Sequence, residues 1–178
     1  MQRSFISVAL AWVAALVLLA GTGAAHAEWR ELDWLELMPE EDLRLLESLP
    51  EIEHEGDGPV ELPDEIMTGR VVPEMDGVEA RIPGFVVPLK TVGSEQRIVE
   101  FFLVPYYGAC IHVPPPPPNQ IIHVTYKPGF TLGALYEPVW IQGTLKTESV
   151  ENDIAAASYT LVSEKVEMYE MEDADSML

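Results

Sequence analysis

The chain has few basic residues and a single cysteine. Ten Lys and Arg residues stand against thirty Asp and Glu residues, which gives a formal net charge of −20 at pH 7 over 178 residues. A protein with this charge has an acidic surface that repels polyanions, so the composition argues against nucleic acids and anionic membranes as partners. It is compatible with high solubility and with basic partner surfaces. One cysteine, Cys110, cannot form a disulfide within the chain, so a packed core must supply the stability.

Long hydrophobic runs are lacking except near the N-terminus. There, Arg3 precedes the apolar run SVALAWVAALVLLAG, and AHA at residues 25–27 has the A-x-A form of a cleavage site. We therefore expect residues 1–27 to be a cleaved secretory signal and the mature protein to be periplasmic, without a stable membrane anchor. A retained anchor is the alternative, but the run is short for a membrane span and no cluster of charges follows it.

Residues 28–60 predict a helical N-terminal cap followed by a linker. Trp29, Leu32 and Leu35 recur at helical spacing. A second helix is expected to begin at Pro39, with acids in its first turn and leucines along one face. At the other end, residues 171–178 form an acidic tail that is poor in strand-forming residues, and we expect this tail to be disordered.

Residues 61–170 have the pattern of short β-strands joined by turns. The strand-like segments are IMTGRVVPEM, VEARIPGFVVPL, RIVEFFLV, QIIHVTY, PVWIQGTLKTE and ASYTLVSEKVEMY, and turns are expected at Asp76-Gly77, VGSEQ and KPGF. This organisation favours a mainly β protein, a small OB-like Greek-key barrel with the helical cap at its N-terminus. Gly84 and Gly143 fit places where barrel strands bend, and Trp140 is expected to anchor the core.

The most unusual segment is FFLVPYYGACIHVPPPPPNQIIHV, residues 101–124. It contains Cys110, two of the four histidines and five consecutive prolines. If ACIHV and QIIHV pair as an antiparallel hairpin, His112 lies opposite His123, and Cys110 lies on the same face. A thiolate and two imidazoles gathered in this way suit zinc or copper. Cys110, His112 and His123 are therefore a candidate metal site.

Other interpretations of this segment remain open. A lone cysteine is often a small buried hydrophobe, so all three residues fit a structural role. Cys110 with His123 as its base would make a thiol enzyme, although no nucleophile elbow or oxyanion loop is evident. The prolines favour a stiff polyproline II conformation that suits a surface for a protein partner, with Asn119 and Gln120 satisfying the carbonyls of the run. The candidate partner-binding residues are then Tyr106, Tyr107, Pro114, Pro115, Pro116, Pro117, Pro118, Asn119 and Gln120.

Three of these stretches, RIPGFVVPL, EFFLVPYYGACIHVPPPPPNQIIHV and PVWIQGTL, resemble the bacterial domain-of-unknown-function family numbered 3299 over residues 65–170. The resemblance implies an exported OB-type barrel with no established activity. It makes Cys110, His112, Pro114 to Pro118, Asn119 and Gln120 the family motif, with no catalytic role. It also implies an association with ABC-type transport systems that have MacB-like permeases, some of them linked to metal supply.

The expected function is that of a periplasmic accessory or binding protein, not an enzyme, that works beside an ABC-type permease or a metal-homeostasis system. A zinc- or copper-binding protein that uses Cys110, His112 and His123 is the first alternative. A thiol enzyme that uses Cys110 is the second.

Overall fold

The computed structural model describes residues 29–48, 63–109 and 115–169. Its strands are β1 (Arg30–Glu31), β2 (Glu79–Val92), β3 (Arg97–Val104), β4 (Ile122–Phe130), β5 (Val139–Lys146), β6 (Val150–Glu151), β7 (Ala156–Ala157) and β8 (Tyr159–Met168). An α-helix, α1, spans Glu40–Ser48, and 3-10 helices span Trp34–Leu37, Pro73–Met75 and Pro118–Gln120. None of the helices in these ranges has the length and apolarity needed to cross a membrane. The predicted signal, residues 1–27, and the predicted tail, residues 171–178, lie outside the described residues.

Five of the strands close into a barrel. Neighbouring strands follow the order β2-β3-β4-β8-β5, and β5 pairs back onto β2. β4 and β8 run parallel, whereas the other neighbours in the barrel run antiparallel. β1 adds a short parallel pairing to β2. This five-stranded arrangement confirms the prediction of a mainly β, OB-like Greek-key barrel.

Two glycines allow the barrel strands to bend and approach one another, as predicted. Gly84 marks the point at which β2 changes partner: it pairs with Val139 of β5, and the next residue, Phe85, pairs with Val104 of β3. A Cβ atom at Gly84 would lie 2.8 Å from the carbonyl oxygen of Val104. Gly143 follows a register shift in the ladder between β5 and β8, and a Cβ there would overlap the backbone of β8. Both positions need glycine because there is no space for a side chain.

Alternate residues of the barrel strands fill the interior of the barrel. On β4, Ile122 and Val124 are fully buried in the main core, whereas His123 lies on the opposite face. Leu37 and Met75 belong to the same core, so the segments that precede β2 pack onto the barrel interior. A second, smaller apolar cluster lies on the outer face of β2 and β3 and is formed by Val87, Phe102, Val104, Ala109, Ile121 and Ala157. The connections that flank β4 and β8 therefore pack on the outside of the barrel.

Trp140 is buried, but it does not anchor the main core, because its ring lies on the outer face of β5. Its neighbours in the strand, Val139 and Ile141, belong to the main core. The guanidinium of Arg81 lies 3.6 Å from the centroid of the Trp140 ring, and Tyr169 stacks on that ring at a centroid distance of 5.5 Å. A cation–π contact and an aromatic partner thus cover the indole.

The helix predicted around Trp29, Leu32 and Leu35 is wrong. Residues 30 and 31 form β1, and only the 3-10 helix Trp34–Leu37 follows, with Leu35 55% exposed. Asp33 caps this short helix by accepting a hydrogen bond from the backbone of Leu35. Because Asp33 lies in the middle of the apolar pattern, its capping role starts the 3-10 helix at Trp34, so no continuous helix can span residues 29–35. The second predicted helix is confirmed as α1, which begins directly after Pro39.

Three predictions about the strand region are also wrong. IMTGRVVPEM contains turns and the 3-10 helix Pro73–Met75 instead of a strand, since Gly69 has a φ of +70° and Pro73 has no amide hydrogen. The turn at Asp76-Gly77 is present, but it does not join two strands. KPGF continues β4 instead of ending it, because the ladder with β3 shifts register there and needs no donor from Pro128.

Candidate partner-binding surface

Three aromatic side chains meet where β2 changes partner. Phe85 follows Gly84, Tyr107 lies in the turn after β3, and Tyr136 lies in the connection between β4 and β5. The ring centroids are 6.1 Å apart for Phe85 and Tyr107, and 6.4 Å apart for Tyr107 and Tyr136, which meet edge to face. Half-buried Phe85 thereby supports the exposed ring of Tyr107, which in turn contacts the exposed ring of Tyr136.

The tyrosines belong to an exposed apolar surface. Tyr107 and Tyr136 are 50% and 64% exposed, and their sequence neighbours Tyr106 and Leu135 are 44% and 42% exposed. We call these four residues, Tyr106, Tyr107, Leu135 and Tyr136, the tyrosine surface. Tyrosine is enriched in protein–protein interfaces because its ring buries a large area while its hydroxyl remains hydrated.

Local sequence explains why two of these tyrosines lie in a turn. β3 ends at Val104, and Pro105 follows without an amide hydrogen for a further ladder bond. Gly108 has a φ of +86°, a conformation that glycine adopts without strain. The chain therefore reverses over residues 105–108, with Tyr106 and Tyr107 at the exposed centre of the reversal.

The proline run lies only partly at the surface. Pro115 is exposed, Pro116 and Pro117 are buried, and Pro118 is half-buried. The whole proline run therefore cannot contact a partner as predicted, because the rings of Pro116 and Pro117 are buried. Pro114, the first residue of the run, lies outside the described residues.

Asn119 and Gln120 are buried, and their amides bond within the chain. The Nδ2 atom of Asn119 donates to the carbonyl oxygen of Arg70 at 2.8 Å and lies 3.4 Å from Asp42 Oδ2. The Nε2 atom of Gln120 donates to the carbonyl oxygen of Trp34 at 2.8 Å. The prediction that these amides satisfy carbonyls of the proline run is wrong, because their main acceptors belong to the segments before β2. Their side chains are not exposed to a partner.

An ion pair with one buried partner also joins the N-terminal cap to the segment before β2. Asp42, on α1, is fully buried, and its carboxylate contacts the guanidinium of Arg70, which is 45% exposed on its side chain. Asn119 Oδ1 has no hydrogen-bond partner among the described residues. The carboxylate is thus neutralised by one arginine and faces one amide, which are the conditions under which a buried charge is tolerated.

Tyr159 and Ser158 bond the start of β8 to the same region. The Tyr159 hydroxyl donates to the carbonyl oxygen of Leu37 at 2.9 Å and accepts from the amide of Val72 at 2.8 Å. Burial raises the pKa of Tyr159 above its ordinary value, and the Val72 amide partly opposes this shift. Ser158 Oγ donates to the carbonyl oxygen of Gly69, at 2.7 Å. The N-terminal cap, the segment 69–72 and the turn after the prolines therefore form one bonded unit.

His123 pairs with a carboxylate on the outer face of the barrel. Its Nε2 atom lies 2.9 Å from Glu100 Oε1, and its ring meets Phe102 edge to face at a centroid distance of 5.9 Å. The residues directly across from His123 are Phe102 on β3 and Thr160 on β8. The predicted hairpin with His112 opposite His123 is therefore wrong, since both edges of β4 are already paired at this point.

The candidate metal site is only partly within the described residues. Cys110 and His112 lie outside them, so the proposed set of Cys110, His112 and His123 stays a prediction. Within the ranges 29–48, 63–109 and 115–169, no three His, Cys, Asp or Glu residues are grouped so that they could hold a metal ion.

Several residues of this region were not identified from the sequence. Tyr136 and Phe85 lie far from Tyr107 along the chain, and only the closure of the barrel brings the three together. The ion pair of Asp42 and Arg70 was also not predicted. Asp42 is one of three consecutive acids in the first turn of α1, and nothing in the sequence distinguishes it from the other two.

The fold and its surface define an OB-type barrel whose N-terminal cap is held by buried polar contacts and which exposes aromatic side chains after β3 and before β5. The chain belongs to the family described as "Protein of unknown function (DUF3299)", whose model matches residues 34–168. It is similar to a DUF3299 family protein from Pseudomonas aeruginosa PAO1, known from a crystal structure, at 37% identity and a TM-score of 0.64. That match covers 81% of this chain and 98% of the other. No curated protein matches the chain.

Proposed function

We propose that the protein is an exported accessory protein that binds a protein partner in the cell envelope through the tyrosine surface and the exposed part of the proline run. The observation that carries this proposal is the exposure of Tyr106, Tyr107, Leu135 and Tyr136 together. Contiguous exposed apolar side chains are uncommon on monomeric proteins and mark interaction sites. Tyrosines are also frequent among the residues that dominate binding energies.

The packing beneath the tyrosine surface also supports a role in partner binding. Tyr107 packs between Phe85 and Tyr136, and Gly84 lets β3 approach β2 closely at this place. The turn after the prolines is bonded to the N-terminal cap through Asn119 and Gln120. A surface that is ordered before binding loses little conformational entropy when a partner docks.

The expected partner is an ABC-type permease of the MacB-like kind or one of its accessory proteins. This part of the proposal rests on the resemblance of the chain to its family, and the net charge of −20 favours a partner face with basic residues. Tyrosine rings also attract cationic side chains through their π faces. The signal-like residues 1–27 would deliver the protein to the periplasm, where it could meet a partner in the cell envelope.

Co-purification from a Gram-negative host tests this proposal. The wild-type protein should recover an ABC-type permease component, and the double variant Tyr107→Ala/Tyr136→Ala should recover at least tenfold less. Leu35→Ala/Val162→Ala is the matched control, because Leu35 and Val162 are similarly exposed, at 55% and 54%, outside the tyrosine surface. Equal recovery by both double variants, with unchanged melting temperatures, would contradict the proposed interface.

Metal binding is a second candidate function, favoured by the contact between His123 and Glu100. A carboxylate bonded to one ring nitrogen is typical of histidines that bind a metal through the other. With Nε2 held by Glu100 at 2.9 Å, Nδ1 is the nitrogen left for zinc or copper. Native mass spectrometry of protein prepared without chelator tests this candidate. A bound metal that is lost in Cys110→Ser supports it, and apo mass alone in the presence of zinc or cuprous ion contradicts it.

A thiol enzyme is the remaining alternative, and it depends on the reactivity of Cys110. The rate of its reaction with iodoacetamide as a function of pH measures the pKa of the thiol. An activated nucleophile reacts rapidly near neutral pH, whereas a thiol that stays unreactive in the folded protein contradicts the enzyme interpretation.

A further inference from the structure

A small cavity opens where β3 begins and where β4 and β8 end. It has a volume of about 280 Å³ and is lined by Arg97, Gly129, Phe130, Thr131, Val166 and Met168. Arg97 is the first residue of β3, and the turn that carries Tyr106 and Tyr107 follows Val104, the last. At about 3.3 Å per residue the two ends of this strand are roughly 20 Å apart, and neither tyrosine of that turn lines the cavity.

The lining of this cavity is unusual for so acidic a protein. The chain has three times as many acids as bases, yet none of the lining residues is acidic. The four other arginines in the described ranges each contact a carboxylate, and Arg97 alone among them has no carboxylate within 4 Å. The positive charge of Arg97 is therefore balanced by no carboxylate of the described chain.

Backbone contacts hold this guanidinium in place. Its Nη2 atom donates to the carbonyl oxygens of Pro128 at 2.8 Å and of Gly129 at 2.5 Å. Gly129 has a φ of +65°, and a Cβ atom there would lie 3.1 Å from Arg97 Cβ, so glycine permits the close approach. Arginine has five N–H donors in a planar fork, and the two acceptors engage one nitrogen only. The remaining donors are free to bind an anion in a fixed geometry.

We propose that this cavity binds a small organic acid, with Arg97 bonding the carboxylate and the apolar wall contacting the rest of the molecule. A single arginine matches a single negative charge. A phosphate group would favour a second cationic side chain, and none lines the cavity. Phe130, Val166 and Met168 provide apolar contact, and the hydroxyl of Thr131 provides a further donor. The volume lies just below the usual range of ligand pockets, which limits the ligand to a short aliphatic or aromatic acid.

Titration monitored by amide NMR shifts tests this proposal with 4-methylpentanoate as the probe. The carboxylate should shift the signals of Gly129, Thr131 and Val166 in a saturable way, and the uncharged 4-methylpentanamide should bind at least tenfold more weakly. A free acid and the carboxylate end of a peptide share this chemistry. Tighter binding of 4-methylpentanoate than of N-acetyl-leucine assigns the site to free acids, and the reverse order assigns it to peptide ends.

Variants separate a specific site from general attraction to positive charge. Arg97→Gln should weaken binding of 4-methylpentanoate at least tenfold, and Lys146→Gln, which removes one positive charge outside the cavity, should leave it unchanged. Since Arg97 also bonds the backbone at Pro128 and Gly129, Thr131→Trp offers a second variant that fills the cavity and keeps the arginine. Equal binding of acid and amide, or binding that survives both Arg97→Gln and Thr131→Trp, overturns the proposal.

Discussion

Asp42 and Asn119 are 77 residues apart in the chain, yet both are fully buried and their side chains lie 3.4 Å from each other. Asp42 belongs to the N-terminal cap, and Asn119 directly follows the proline run. Arg70 contacts both, through its guanidinium to Asp42 and through its carbonyl oxygen to Asn119. The cap and Arg70 thus hold the residue that directly follows the proline run.

Removing the guanidinium of Arg70 should destabilise the protein strongly. Arg70→Met leaves the buried carboxylate of Asp42 with only the amide of Asn119, so we expect a loss of about 1–3 kcal/mol in the free energy of unfolding. The value is below that of a fully buried pair because Arg70 is 45% exposed on its side chain. Urea denaturation measures the loss. Arg44→Met, which breaks an exposed pair with Glu40 on the same helix, is the control and should leave the urea midpoint unchanged.

Tyr159→Phe should lower stability and also change its dependence on pH. The substitution leaves the Leu37 carbonyl and the Val72 amide without their partner, at a cost of about 1–3 kcal/mol. In the wild type, the unfolded phenol ionises around its ordinary pKa of 10.0, while burial raises the pKa of Tyr159 in the folded protein. Above pH 10 the folded state therefore binds more protons, and its stability falls as the pH rises.

Denaturation between pH 8 and pH 11 measures this effect. The variant should lose the part of the alkaline decline that Tyr159 causes, whereas Tyr126→Phe, at a half-buried tyrosine of β4, should keep it. Identical slopes for wild type and Tyr159→Phe above pH 10 would show that the buried phenol does not govern the alkaline stability.

Gly143→Ala should be far more destabilising than Gly93→Ala. The new methyl group at position 143 overlaps the carbonyl oxygen of Val162, so β5 and β8 must separate, at a cost of about 1–3 kcal/mol or more. Gly93 has a φ of +72°, but a methyl group there would have no atom within 4 Å, so only backbone strain of about 1 kcal/mol is expected. Thermal melts of the two variants compare them, and equal losses would mean that the strands accommodate the methyl group.

Glu100→Gln tests the orientation of His123 in the metal hypothesis. If His123 binds zinc through Nδ1, loss of the carboxylate that holds Nε2 should weaken zinc binding by about 10–100-fold. Competition with a chromogenic chelator measures the affinity. Glu79→Gln, at an exposed position of β2, controls for the loss of one negative charge. Equal zinc affinity in wild type and Glu100→Gln would remove the reason to place a metal at His123.

The strands were the most predictable part of this chain because their signals are local. RIVEFFLV coincides with β3, and the glycines at positions 84 and 143 mark bends that the structure contains. Alternation is also visible on β4, where Ile122 and Val124 lie in the core and His123 between them does not. Once these strands are known, the rules for chain connections leave few possible topologies, and a closed barrel is one of them.

The candidate site was less predictable because its contacts are long-range. The hairpin between ACIHV and QIIHV was a local hypothesis, whereas β4 in fact pairs with β3 and with β8. Nothing near Asp42 indicates that its partner lies 28 residues away or that a turn after five prolines covers it. Likewise, Tyr136 joins Tyr107 only when the barrel is closed.

Site-specific photo-crosslinking in the cell tests the central claim most directly. A benzophenone amino acid at Tyr107 should give a crosslink to an envelope protein, identified by mass spectrometry as an ABC-type permease component, and the same group at Val162 should not. Position 162 is equally exposed, at 54%, but it lies on β8 outside the tyrosine surface. Absence of a product at Tyr107, or the same products at both positions, would contradict a partner interface at this surface.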